Sequence, residues 1–295
     1  MLDLCRPAAE LLQLQQTLME QCFPASTVLL PSGAQVAVRQ CGQRSGKPSI
    51  VLLHGISSGA PSWLHPALLL AEHHHVLAWD APGYGDSTPL PDAAPTAQAY
   101  AERLRELLQV QGITSCVLVG HSLGALMGAA YAAGVGRHCV QRLVLISPAG
   151  GYGAADAADK RERVRDERRG ALRTLGVDGI AERIPARLLS DSASAADRAW
   201  VQWNASRLHA KGYLQAVELL CNTDLGACRP LDMPVAVYCG DADVVTPPAQ
   251  CAAWAATLAA PFSLIPGAGH ASPVQQPAAV ARLVAAAVPG DTVHG

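Results

Sequence analysis

A chain of 295 residues, half of them apolar, can bury a large core, which points to one big α/β domain or one domain carrying an insertion. Charged residues make up 16% and the formal net charge is −2, which excludes a basic footprint for nucleic acid or for an anionic membrane surface and leaves a small molecule as the expected partner. The nine cysteines (Cys5, Cys22, Cys41, Cys116, Cys139, Cys221, Cys228, Cys239, Cys251) are odd in number, scattered and never spaced C-x-x-C, so they read as reduced, mostly buried thiols rather than a disulfide framework or a zinc site.

At the N-terminus, Asp3 and Arg6 precede an interrupted pattern of Leu11, Leu12, Leu14 and Leu18, which predicts a short amphipathic helix and not a secretory signal. No apolar run approaches the roughly 18 residues of a spanning helix. The expectation is a cytoplasmic protein, monomeric or homodimeric, with no membrane and no nucleic-acid partner. Short β-rich runs then alternate with helical stretches, the signature of a mostly parallel sheet covered on both faces. Strands are predicted at 27–30, 35–39, 49–53, 75–79, 115–119, 142–146, 235–238 and 262–265, with the clearest helices at 97–110 and 123–133. From 151 to 226 the β rhythm stops and the chain turns charged (Lys160 to Arg169) and then amphipathic. The expected division is a core of 1–150 and 227–295, with 151–226 inserted after the sixth strand as a helical lid.

Gly120-His121-Ser122-Leu123-Gly124 reads G-x-S-x-G directly after the apolar run Val117-Leu118-Val119 and before an Ala/Gly-rich helix. Given this chain's Gly and Ser frequencies the bare pattern would arise by chance in roughly one such sequence in eight, so the context carries the weight. A tight strand-to-helix turn strains its middle residue and needs neighbours without bulk, and it leaves the hydroxyl at a helix N-terminus that favours developing negative charge. A serine hydroxyl is a poor nucleophile until a base takes its proton, so a histidine and an orienting carboxylate are expected downstream. Two loops after predicted strands supply them: Gly240-Asp241-Ala242-Asp243-Val244-Val245-Thr246-Pro247, and Pro266-Gly267-Ala268-Gly269-His270.

With these motifs the chain resembles a capped member of the α/β-hydrolase superfamily over nearly its whole length. The likeness runs from Leu52-Leu53-His54-Gly55 through Trp79-Asp80-Ala81-Pro82-Gly83-Tyr84-Gly85-Asp86-Ser87 and the serine turn to His270 and Pro277. The resemblance implies an eight-stranded, mostly parallel α/β-hydrolase fold with a helical cap after strand 6, and a triad of Ser122, Asp243 and His270. Asp243 is preferred over Asp241 as the acid; the alternative place for an acid, Ser147-Pro148-Ala149-Gly150, offers no carboxylate. It also implies an oxyanion hole from the backbone N–H groups of Leu123 and Ile56, with His54 bracing the latter's loop. No cofactor and no metal are required.

Other features invite a bland reading. Consecutive histidines His73-His74-His75 cannot easily converge on one ion and read as a solvated loop. The segment 42–48 is one residue short of a phosphate loop and reads as a turn. His121 reads as structural support, Asn204-Ala205-Ser206 as a chance sequon, and the arginines of 161–169 as the wet face of a lid helix, one of which could hold a substrate carboxylate. Trp200, Trp203, His209 and Tyr213 recur at about helical spacing and, with Trp63, are substrate-pocket candidates.

The overall look is loosely similar to 3-oxoadipate enol-lactonase-like enzymes and small bacterial esterases, which implies hydrolysis of a small carboxylic ester or lactone. Carbon–carbon bond hydrolysis of a ring-cleavage product, cofactor-free haloperoxidase or perhydrolase chemistry, and a non-catalytic ligand receptor are the alternatives. Ile56-Ser57-Ser58, in place of a glycine run after His54-Gly55, counts against the carbon–carbon chemistry.

Overall fold

The structure is a computed structural model that describes residues 7–290; Asp3, Cys5 and Arg6 lie outside the described residues. All eight expected strands form: β1 Ala25–Leu29, β2 Gln35–Cys41, β3 Ser49–Leu53, β4 Val76–Trp79, β5 Cys116–His121, β6 Val140–Ile146, β7 Val235–Gly240 and β8 Phe262–Ile265. They make one sheet of order β1-β2-β4-β3-β5-β6-β7-β8. Only the β1–β2 and β2–β4 pairs are antiparallel.

The central strands are apolar on both sides because both sides are covered. Side chains alternate across the sheet, so Ile50 and Leu52 of β3 join Val117, Val119, Val144 and Ile146 on one face, against Trp63, Leu64, Val280 and Val284. Val51, Leu53, Leu118, Leu143 and Leu145 pack on the other, against Tyr100, Leu104 and Leu107 of the helix Ala97–Val110 and against the helix Leu123–Ala133. The eight described cysteines are free thiols, and Cys116, Cys221, Cys239 and Cys251 are buried. The histidine turn before β4 is packed rather than solvated as expected: only His73 is exposed, while His74 is buried and His75 bonds Ser49 and Gln40. No helix among the described residues is long and apolar enough to cross a membrane.

Between β6 and β7 the chain forms the helices Ala158–Leu188, Ala195–Ser206 and Ala210–Asn222. The first is bent at Gly176, whose φ of +65° breaks the helical run. The second begins on a reciprocal cap in which Ser194 accepts from the Asp197 N–H and Asp197 accepts from the Ser194 N–H. An isolated antiparallel bridge between Gly151 and Asp224 closes the base of the insertion, flanked by Tyr152 N to Leu220 O (3.0 Å) and Leu225 N to Gly150 O (2.9 Å).

Where β5 turns into the helix Leu123–Ala133, the backbone of β3 lies against it. A Cβ at Gly124 would come 2.4 Å from the Leu53 carbonyl oxygen, and one at Gly120 2.6 Å from the Gly124 carbonyl oxygen. Both neighbours are backbone, so neither can yield cheaply. Gly124→Ala is expected to lower the free energy of unfolding by about 2–3 kcal/mol, the cost of forcing atoms into a filled core. Urea unfolding checks this: the midpoint should fall at unchanged slope, and an unaltered midpoint would contradict the packing described.

Candidate active site

Ser122 sits at the turn with φ +54° and ψ −116°, a region that side chains with a Cβ rarely occupy. Three backbone hydrogen bonds hold it there: Ser122 N to Ile146 O (3.0 Å), and Ala125 N (3.0 Å) and Ala149 N (3.1 Å) to Ser122 O. The loop after β3 then packs onto the serine so closely that a Cβ at Gly55 would lie 3.0 Å from the Ser122 Cβ.

His270 and Asp243 arrive on the loops after β8 and β7. His270 Nε2 is 2.9 Å from Ser122 Oγ, and His270 Nδ1 is 2.8 Å from Asp243 Oδ2. Asp243, and not the exposed Asp241, makes this contact. Its Oδ1 accepts from the N–H groups of Val245 (2.8 Å) and Thr246 (3.0 Å), and Oδ2 also accepts from the Thr246 hydroxyl (2.9 Å). Burial pushes the Asp243 carboxyl up, yet the hydrogen bond and charge of His270 and the backbone bond from Thr246 outweigh it and hold the group well below the usual carboxylate range. An ionised carboxylate only accepts, so Nδ1 carries the imidazole proton and the lone pair of Nε2 faces the serine hydroxyl. That arrangement can draw a proton from Ser122.

Two further histidines support the site without titrating into it. His121 donates from Nε2 to the His270 carbonyl (2.8 Å); burial, with His270 adding to it, lowers its pKa to about 3. His54 donates from Nδ1 to the Gly55 carbonyl (2.8 Å) and accepts from the Ala81 N–H at Nε2 (3.0 Å), a pattern only the neutral ring can make, and burial lowers its pKa. The loop it braces is also pinned by the Tyr84 hydroxyl, which donates to Ile56 O (2.6 Å). The N–H groups of Ile56 and Leu123 find no backbone acceptor among the described residues, and both residues line the cavity beside Ser122.

That cavity encloses about 1100 Å³, counting its solvent-open part, between the sheet's carboxyl end and the insertion. Ser122, His270, Ile56 and Leu123 line it, whereas none of the five aromatic and histidine pocket candidates does. Trp63 is fully buried in the core and meets His121 edge-on at 6.2 Å. Trp200 is also fully buried; its indole N–H donates to the Pro61 carbonyl (3.3 Å) and its ring stacks on Trp203 at 4.7 Å. Tyr213 is buried, and His209 is exposed at the start of the last insertion helix. Large aromatic rings fill the joint between insertion and core, so the wall of the cavity falls to smaller neighbours: Val201 and Asn204 on the Trp200 helix, with Arg168, Ile184 and Leu188 from the bent one. The signal for Asn204 was a polar residue inside the apolar stripe Trp200, Val201, Asn204, Ala205. The 161–169 arginines are not simply a wet face: Arg165 and Arg169 reach the buried Glu218 at 3.2 and 2.7 Å.

Fold and site define a class. The chain belongs to the α/β hydrolase family, whose model matches residues 50–283. It is similar to a thermophilic esterase from Thermogutta terrifontis (25% identity, TM-score 0.74, covering 88% of this chain and 96% of that one). Its fold is also that of the enol-lactonase from Burkholderia xenovorans (22% identity, TM-score 0.75, 89% and 99% covered). Lipase 1 of Psychrobacter immobilis is 32% identical over 129 residues, 43% of this chain and 40% of that protein. The chain spans about a third of the length of the curated relatives it matches.

Because the folded-state Asp243 carboxyl ionises below its ordinary value of 3.8, its contribution to stability is complete above that pH and is lost as the pH falls toward the folded value. Asp243→Asn is therefore expected to flatten the dependence of the urea-unfolding free energy on pH between about pH 4.5 and 2.5. Equal acid slopes in wild type and variant would show that the carboxyl is not held down.

Proposed function

We propose that the protein is a serine hydrolase that opens a small carboxylic ester or lactone through an acyl-enzyme. The observation that supports this best is the unbroken hydrogen-bonded series from Asp243 through His270 to Ser122, with the imidazole tautomer fixed by its acceptor. The esterase and lipase likenesses point the same way.

In the first half-reaction His270 Nε2 takes the Ser122 proton as Oγ adds to the carbonyl carbon. The oxyanion that forms is stabilised by the N–H groups of Ile56 and Leu123, two residues that line the cavity and whose N–H groups have no backbone acceptor among the described residues. Asp243 stabilises the imidazolium and does not itself take the proton. His270 then protonates the departing alkoxide, leaving an acyl-serine. In the second half-reaction His270 removes a proton from water, the hydroxide adds to the acyl carbon, and collapse returns the proton to Ser122 Oγ and frees the acid. Every proton and electron pair is accounted for by these side chains and water, so no step calls for a cofactor. The insertion acts as a cap that shapes the acyl and alcohol sites.

A fluorophosphonate probe is expected to label the wild-type protein and not Ser122→Ala; equal labelling of the two would remove Ser122 from the nucleophile role. In the same preparation Asp243→Asn should lower kcat on p-nitrophenyl acetate by roughly 10³–10⁴-fold, the effect expected of a wrong imidazole tautomer.

A further inference from the structure

The cavity is electrically one-sided. Its charged lining side chains are Arg168 and Arg187, and no aspartate or glutamate stands among the described lining residues. Arg168 differs from its helix neighbours. Arg165 pairs with Glu162 and Glu218 and Arg169 with Glu218, whereas Arg168, half-buried on the cavity side, pairs with no carboxylate among the described residues. It stands near the oxyanion loop: its charge reaches the Tyr84 phenol, opposing the upward push of burial there, and the Tyr84 hydroxyl is bonded to the Ile56 carbonyl.

Asn204 is a second unusual group. It is only 4% exposed and lines the cavity, yet its side-chain amide makes no hydrogen bond among the described residues. A Cβ built at Gly59 would lie 3.3 Å from Asn204 Oδ1, which puts the amide over the far end of the same loop. Buried amides are almost always satisfied by protein or by water, so one left open in a cavity wall is accessible to water or to a polar group of a ligand. The rest of the wall is largely apolar, with Ile184, Leu188, Val201, Leu220 and Val274 available to a hydrocarbon chain.

We propose that the cavity selects esters or lactones that carry a free carboxylate at the end of a short hydrocarbon spacer, with Arg168 binding the carboxylate and Asn204 supplying a neutral hydrogen bond elsewhere along the ligand; the proposal rests on the serine hydrolase reading. The planar guanidinium matches a carboxylate's two oxygens, and in a half-buried setting the bond is stronger than between neutral groups. The exposed Arg187 adds to the field that draws an anion toward the mouth.

The test separates binding from turnover. Ser122→Ala protein, which cannot consume the ligand, is titrated calorimetrically with monomethyl esters of straight-chain dicarboxylic acids, from malonate to adipate, and with the corresponding dimethyl esters. At least one monoester is expected to bind about 10–100-fold more tightly than its dimethyl counterpart, the range for a charge-assisted bond. Arg168→Gln in the same background should abolish that preference, Arg168→Lys should restore part of it, and Asn204→Leu should weaken monoester binding about 3–10-fold. A cooperative urea transition for each variant shows that it is folded. Absence of an anion preference across the series, or a preference that survives Arg168→Gln, overturns the proposal. Turnover of the same esters with Ser122 intact tests the hydrolase reading separately. Selective binding without turnover sinks that reading and supports the anion site, while turnover of both ester types without selective binding does the reverse.

Discussion

The site depends on one crowded place where three stretches of backbone touch: the end of β5, the first turn of the helix Leu123–Ala133, and the loop leaving β3. Ser122 pays for its left-handed conformation there, a strain of about 1–3 kcal/mol for a residue with a side chain. The surrounding hydrogen bonds to Ile146, Ala125 and Ala149 over-determine it. The result is a hydroxyl pushed out of the sheet at the head of a helix, facing the imidazole 2.9 Å away. The same crowding brings the loop after β3 up to the serine, because Gly55, Gly120 and Gly124 leave no Cβ in the way. The Ser122 hydroxyl and the N–H groups of Ile56 and Leu123 are thereby set by one packing arrangement rather than two.

Electrostatics divides the labour among three histidines. His54 and His121 are buried without a carboxylate bonded to the ring, so both stay neutral and act as rigid donor and acceptor posts. His270 alone lies against an ionised carboxylate. A positive charge on His121, 5.0 Å from His270 between ring centroids, would oppose any positive charge on the His270 ring. Keeping His121 neutral is thus as much a part of the site as keeping Asp243 charged.

Much of this was legible in the residues. Strand periodicity, turn residues and the helical patterns at 97–110 and 123–133 located every strand to within two residues; the central strands read as apolar runs because both faces of the sheet are covered there, whereas the edge strands β1 and β8 keep exposed positions. Ser122, Asp243 and His270 could be placed near one another from the sequence, and do make contact, because each occupies a loop beyond a strand end, where local sequence and position in the sheet agree. The cavity wall was not found, for a physical reason. Trp200, Trp203 and Tyr213 stand out on a helix because they are large, and large rings are spent on the joint between insertion and core. Val201 and Asn204 reach the cavity from the helix that also carries Trp200 and Trp203, and only the angle at which that helix lies on the core distinguishes them from residues that face elsewhere. Thr246, which donates to Asp243 and steadies the acid, was equally invisible, its role being created by the fold of a four-residue turn.

The bridge between Gly151 and Asp224 has a topological consequence. Both ends of the insertion leave the sheet as neighbours, so the segment between them is a closed excursion whose length bears only logarithmically on the entropy of closing it. Helices there can be lengthened, shortened or exchanged while β6 and β7 keep their register, provided the stretch around Leu188 still accepts from the Ala271 N–H (2.8 Å) beside His270.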